Sequence, residues 1–183
     1  MERNEALKLL KENVKTKNLL KHMYACETIM GGLAEHFGED KEAWALAGLL
    51  HDIDYDSTKD DPHKHSLVGG KILEKAGIPP EIVHAVKAHN YAHGIERDSL
   101  MDKALYCTDP LSGFIVAAAL IRPEKKLAAV DVPFLMKRFN EKGFARGANR
   151  EQMAACSELP LSLEEFFEIG LLSMLDIHKD LGL

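Results

Sequence analysis

The chain has 183 residues, 46% hydrophobic and 28% charged, which suits one globular domain with a real core and excludes a disordered chain. Its net charge of −6 weighs against nucleic acid as the main partner, since a phosphate-binding surface usually needs a basic excess. The three cysteines, Cys26, Cys107 and Cys156, are widely spaced without a C-x-x-C pair, the N-terminus lacks an apolar leader, and the longest apolar run, 114–121, is too short to span a bilayer. The expectation is a cytoplasmic protein with reduced thiols and no membrane partner.

Helical periodicity dominates the chain. Leu19, Met23, Cys26, Met30 and Leu33 repeat at three- and four-residue steps, as an amphipathic helix requires. Residues 43–50 read as a short buried helix. Residues 66–75 form the next, stopped by Gly77 with Pro79 and Pro80 beyond. A further helix starts at Pro80, which suits a first turn, and ends near His89. Asp98 and Ser99 offer a cap for a helix carrying Leu100, Ala104, Leu105 and Cys107, and Pro110 opens or kinks the segment that follows. After a break at Arg122–Pro123 come helices near 133–142 and 149–156. A last one follows Ser162, whose spacing to Glu165 is that of a capping box. No stretch alternates with a period of two. The expected fold is all-α, one domain over 1–183, with a core over about 1–121 and a helical extension over about 122–183.

Histidine is the unusual component. Nine are present, and all but His178 fall between His22 and His93. His51 and Asp52 stand together directly after the apolar helix, offering mixed nitrogen and oxygen donors of the kind that suit Mn, Fe, Co, Ni or Zn better than calcium. His22 lies on the first amphipathic helix, where a core histidine bonded to a carbonyl is the alternative. Asp109 precedes Pro110, where it would equally serve as a helix N-cap.

The order His22, His51–Asp52, Asp109 resembles the H…HD…D pattern of the HD superfamily of metal-dependent phosphohydrolases. The local wording resembles its HDIG-type branch: A-G-L-L-H-D-I-D-Y at 47–55, H-S-L-V-G-G-K-I-L at 65–73, A-V-K-A-H-N at 85–90 and A-L-Y-C-T-D-P-L-S-G-F-I at 104–115. The resemblance implies an HD-type helical bundle with His22, His51, Asp52 and Asp109 as ligands of a first divalent transition metal. It further implies His65 and His89 as ligands of a second, with Asp52 bridging. Gly69, one helical turn after His65, would permit close backbone approach beside the site. As alternatives, His65 is a surface residue and His89 a C-terminal helix residue favoured by the macrodipole.

The chain departs from the branch at one place: Asp54 replaces a glycine, and Tyr55 stands where a phosphate-contacting lysine is common. Asp52, Asp54 and Asp56 are the candidate catalytic carboxylates, although a solvated D-I-D-Y-D-S turn explains Asp54 and Asp56 as well. Asp54, Asp56 and Ser66 are also candidates for orienting the imidazoles. Lys142, Arg146 and Arg150 step by four and are the candidate substrate-binding cations, either along one helical face or in a basic loop, since Gly143 and Gly147 interrupt the helix.

The function implied is hydrolysis of a phosphate ester of a nucleotide or other small phosphorylated metabolite by metal-activated water. A di-iron oxygenase of a small polyol or phosphonate, and a non-catalytic metal or ligand sensor, are the alternatives. The sequence leaves homo-oligomerisation open.

Overall fold

A computed structural model describes residues 1–183. The first helices run α1 (Arg3–Asn13), α2 (Lys17–Phe37), α3 (Lys41–Leu50), α4 (Tyr55–Thr58), α5 (Leu67–Lys75) and α6 (Pro80–Ala88). They are followed by α7 (Leu100–Leu120), α8 (Val132–Phe139), α9 (Arg150–Ala154), α10 (Leu163–Asp176) and α11 (His178–Leu181). Short 3-10 turns occupy Tyr91–His93, Leu127–Ala129 and Ala155–Glu158, and no strand forms. No helix is long and apolar enough to cross a membrane.

Local chemistry sets most boundaries. Asp40 caps α3 by accepting from the Glu42 and Ala43 N–H groups, and Gly38 ends α2 in the left-handed region at φ 72°. Ser99 with Asp102, and Ser162 with Glu165, form reciprocal capping boxes at the starts of α7 and α10. α1, in the charged N-terminal segment, is not among the helices expected from the sequence. It forms because Ala6 and Leu10 lie fully buried against the bundle.

Two expectations change. Pro110 neither opens a helix nor ends one; it lies inside the continuous α7. Asp109 is therefore a mid-helix residue and not an N-cap. The basic stretch 141–148 forms successive turns rather than a helix, so the four-residue step of Lys142, Arg146 and Arg150 aligns no helical face.

The spine of the bundle is α2, which packs against α3, α7 and α10. A contiguous apolar core runs from Ala6 to Leu181, so α8–α11 share it with the preceding helices. Phe114, Phe139, Phe144 and Phe167 form one aromatic cluster joining α7, α8, α10 and the 141–148 turns. Arg150 seals this region, with its guanidinium 4.6 Å from the Phe114 ring centre.

The closest helix approach is at Gly48 on α3. A Cβ there would stand 2.5 Å from the Cys26 carbonyl oxygen and 2.9 Å from the Glu27 nitrogen of α2, and backbone atoms cannot give way as side chains do. We expect Gly48→Ala to cost about 2 kcal/mol through overpacking, lowering the Tm by roughly 4–8 °C for a chain of this length. By contrast Gly113→Ala, in open space on α7, should leave the Tm unchanged or raised. Thermal unfolding of the two variants followed by circular dichroism checks the contrast.

Candidate metal centre

Six side chains from five parts of the chain meet at one end of the bundle. His22 comes from α2, His51 and Asp52 from the C-terminal end of α3, His65 from the turn before α5, His89 from the end of α6, and Asp109 from the middle of α7. Their donor atoms form two groups. In the first, His22 Nε2 lies 3.1 Å from His51 Nε2, 3.2 Å from Asp109 Oδ1 and 3.6 Å from Asp52 Oδ2. In the second, His65 Nε2 lies 3.2 Å from His89 Nε2, and Asp52 Oδ1 is 3.3 Å from the former and 3.5 Å from the latter. Asp52 belongs to both.

Each imidazole is aimed by its other nitrogen. His51 Nδ1 donates to the Gly48 carbonyl (2.8 Å) and His89 Nδ1 to the Val86 carbonyl (2.6 Å). His65 Nδ1 donates to Asp54 Oδ1 (3.0 Å). His22 Nδ1 donates to Ser112 Oγ at 2.7 Å, whose own hydroxyl donates to the Asp109 carbonyl at 3.2 Å. With every Nδ1 carrying a proton, each neutral ring turns the Nε2 lone pair inward.

The donor set fits a divalent transition metal. Two neutral Nε2 atoms facing each other at 3.1 or 3.2 Å share no proton and repel unless a cation lies between them. Two nitrogens each about 2.1 Å from one ion, at roughly a right angle, stand about 3.0 Å apart. Imidazole and carboxylate together suit Mn, Fe, Co, Ni or Zn.

Without the ion, protons take its place. Burial disfavours the charged forms of His22 and His65. Cys26 and Asp109 nevertheless raise His22 well above its ordinary value, and Asp52 and Asp54 raise His65 to about 9. Burial pushes His51 down to about 4, with the neighbouring His22 and His89 adding to the effect. Burial also works against ionised Asp52, but His51, His65 and His89 outweigh it and hold its carboxyl well below the usual range. His22 and His65 are thus the rings whose surroundings favour a proton.

The structure shows the partners of the other candidate residues. Of the two roles offered for Asp54, its contacts are those of a carboxylate that orients an imidazole. It is 1% exposed, with one carboxylate oxygen accepting from His65 Nδ1 and the other from the Gly69 N–H at 2.7 Å. It positions His65, and Gly69 provides the close approach expected of it: a Cβ there would lie 3.3 Å from the same carboxylate. The Asp56 carboxylate accepts from the Lys15 and Thr16 N–H groups and from Thr16 Oγ1, fixing the α1–α2 corner. Ser66 orients no imidazole, since its hydroxyl donates to the Lys87 carbonyl. Its strained φ of 67° instead turns the chain from His65 into α5.

Arg150 is engaged within the chain. Its nitrogens donate to the carbonyls of Phe139, Phe144 and Ala148 at 3.1, 2.6 and 2.8 Å, closing the 141–148 turns from within. Lys142 and Arg146 are exposed. Ala145 and Gly147, on either side of Arg146, border a pocket shared with His22 and Asp109, whereas Lys142 does not.

Two residues escaped the sequence reading: Ser112, which holds His22, and Gln152, which lines the candidate metal pocket. His93 Nε2 donates to the His65 carbonyl at 2.7 Å, a supporting place behind a candidate ligand. Only the i+3 spacing of Ser112 after Asp109 was visible, and serine at that spacing is common in helices.

Metal binding must displace the protons on His22 and His65. We therefore expect binding at pH 7 to release on the order of one to two protons per chain, with affinity climbing as pH rises towards 9, where His65 loses its proton unaided. Calorimetry in buffers of different ionisation enthalpy reads this directly; a buffer-independent heat would contradict it. For Ser112→Ala, the lost support of His22 should weaken metal affinity about 10–100-fold, measured by competition with a chromophoric chelator, with the helical spectrum retained.

Comparison with known proteins agrees with this geometry. Residues 19–130 match the family model described as HD domain. Ribonuclease Y of Lawsonia intracellularis is 31% identical over 98 residues, covering 54% of this chain and 19% of that protein. Ribonuclease Y of Rubrobacter xylanophilus is 28% identical over 138 residues, covering 74% and 26% respectively. Ribonuclease Y of Desulfotalea psychrophila is 32% identical over 97 residues, covering 53% and 18%. The chain thus spans about a fifth to a quarter of the length of these relatives. No solved structure matches it.

Proposed function

This chain belongs to the HD domain family, and from that premise we propose that its metal centre hydrolyses a phosphate ester of a nucleotide or another small phosphorylated metabolite. The observation that carries the reading is Asp52, one carboxylate shared by two groups of inward-facing imidazoles. One or two divalent ions held by His22, His51, Asp52, His65, His89 and Asp109 would polarise a phosphoryl oxygen and acidify water near neutral pH.

The chain's own contribution is orientation. Ser112, Gly48, Asp54 and Val86 fix the four rings from behind, so little reorganisation accompanies substrate arrival. The adjoining pocket, of about 440 Å³, lies within the usual range for small-molecule sites. Ala145 and Gly147 border the pocket beside the first group, and the backbone N–H groups of Arg146 and Gly147 make no hydrogen bond within the chain. Both suit the remaining phosphate oxygens.

The name Ribonuclease Y carried by the relatives favours a second reading, a phosphodiester within RNA. The net charge of −6 and the size of the pocket favour the small substrate.

A screen of nucleotides, sugar phosphates and an RNA oligonucleotide, with Mn, Fe, Co, Ni or Zn added, tests both. We expect release of inorganic phosphate from a small ester, lost by at least about a hundredfold in Asp52→Ala together with bound metal. Cleavage confined to the oligonucleotide would favour the second reading. A metal-loaded protein that cleaves nothing would overturn both.

A further inference from the structure

The residues beyond the family's matched span, which ends at residue 130, reach the metal pocket through Gln152. The cause lies in α7. Pro110 has no N–H, so the carbonyl of Tyr106, four residues earlier, loses its helical donor. Gln152 Nε2 replaces that donor at 2.8 Å. This bond fixes which end of the amide faces α7 and leaves Oε1 with no donor from the chain. Gln152 is only 6% exposed and lines the same pocket as His22, Asp52, His65, His89 and Asp109. That oxygen stays free to accept from a donor group that enters the pocket.

A second, independent feature faces that pocket. Tyr91 is 69% exposed yet stands on a rigid turn. Asn90 donates to the Pro62 and His65 carbonyls at 2.8 and 3.1 Å and accepts from the Ala92 N–H, while His93 ties the turn to the His65 carbonyl. The ring is therefore held out at the pocket by the same backbone that carries two candidate ligands. Tyr55, 40% exposed and edge-on to His65 with ring centres 5.2 Å apart, also lines it. Rigid, uncovered aromatic faces beside a phosphate-binding centre match a planar ring joined to the phosphate.

We infer that Tyr91 and Gln152 are specificity-determining residues that select a nucleotide whose base carries an amino group, the base stacking on Tyr91 and the amino group donating to Gln152 Oε1. The assignment rests on the phosphate-ester reading above. It gives the 145–152 segment a role in substrate choice rather than in metal binding.

The test is calorimetric binding of 5′-methylenephosphonate analogues, which have no cleavable ester oxygen, to the manganese-loaded chain. The adenosine analogue should bind about tenfold more tightly than the base-free ribose analogue, the usual scale of one base–aromatic stack. It should bind roughly three- to tenfold more tightly than the inosine analogue, which replaces the amino donor by an oxygen. Tyr91→Ala should erase the first ratio and Gln152→Leu the second. Wild-type ratios near one overturn the inference without recourse to any variant, and so do ratios that persist in folded variants. Selective binding with no ester cleaved would leave this assignment standing and remove the hydrolase reading. Equal cleavage of ribose 5-phosphate and nucleotides, with equal binding, would do the reverse.

Discussion

Four imidazole lone pairs and two carboxylates crowded together at one end of a helical bundle repel one another, and the rest of the structure is arranged to hold them there. Nε2 atoms 3.1–3.2 Å apart have no favourable neutral arrangement by themselves. Positive charge relieves this, and the surroundings favour it on His22 and His65, where a divalent ion would compete with protons. Asp52 is the hinge of this balance because both groups of imidazoles depend on its negative charge.

Holding such a cluster requires a stiff frame behind it. The Nδ1 of each ring is tied to a carbonyl, a hydroxyl or a carboxylate, and these acceptors belong to well-packed helices. Gly48 illustrates the coupling between packing and site. Its missing side chain lets α3 lie directly on α2, and its carbonyl orients His51 at the end of the same helix. Asp54 performs a similar double duty, joining His65 to the start of α5 through Gly69. The C-terminal helices enter through the phenylalanine cluster and Arg150, which bring Gln152 beside the ligands.

The residues whose partners the sequence did not reveal share one physical feature. Asp54, Asp56 and Arg150 all have chemistry suited to catalysis or phosphate binding, and each uses that chemistry on a partner within the chain. Asp56 accepts from backbone 40 and 41 residues away, and Arg150 donates to carbonyls of a turn that the sequence presented only as glycine-rich. A charged side chain in sequence carries no record of which backbone groups need it. Pro110 is the same case for the main chain: its neighbours were visible, but the amide that meets the freed Tyr106 carbonyl comes from 46 residues further on.

By itself the sequence determined the all-α class, the main helices α2, α3 and α5–α10, and the family's set of histidines and aspartates. These are legible because they rest on local rules: apolar residues every three or four positions, capping side chains such as Ser99 and Ser162, and an ordered motif of ligand types. Only the tertiary structure decided that Asp52 faces both imidazole groups, that Ser112 supports His22, and that the Gln152 amide meets the Tyr106 carbonyl beside the pocket. Each of these depends on the angle and distance at which separate helices pack, which arise from contacts between residues far apart in the chain. Helical spacing can say which face a donor occupies; it cannot say what that face will meet.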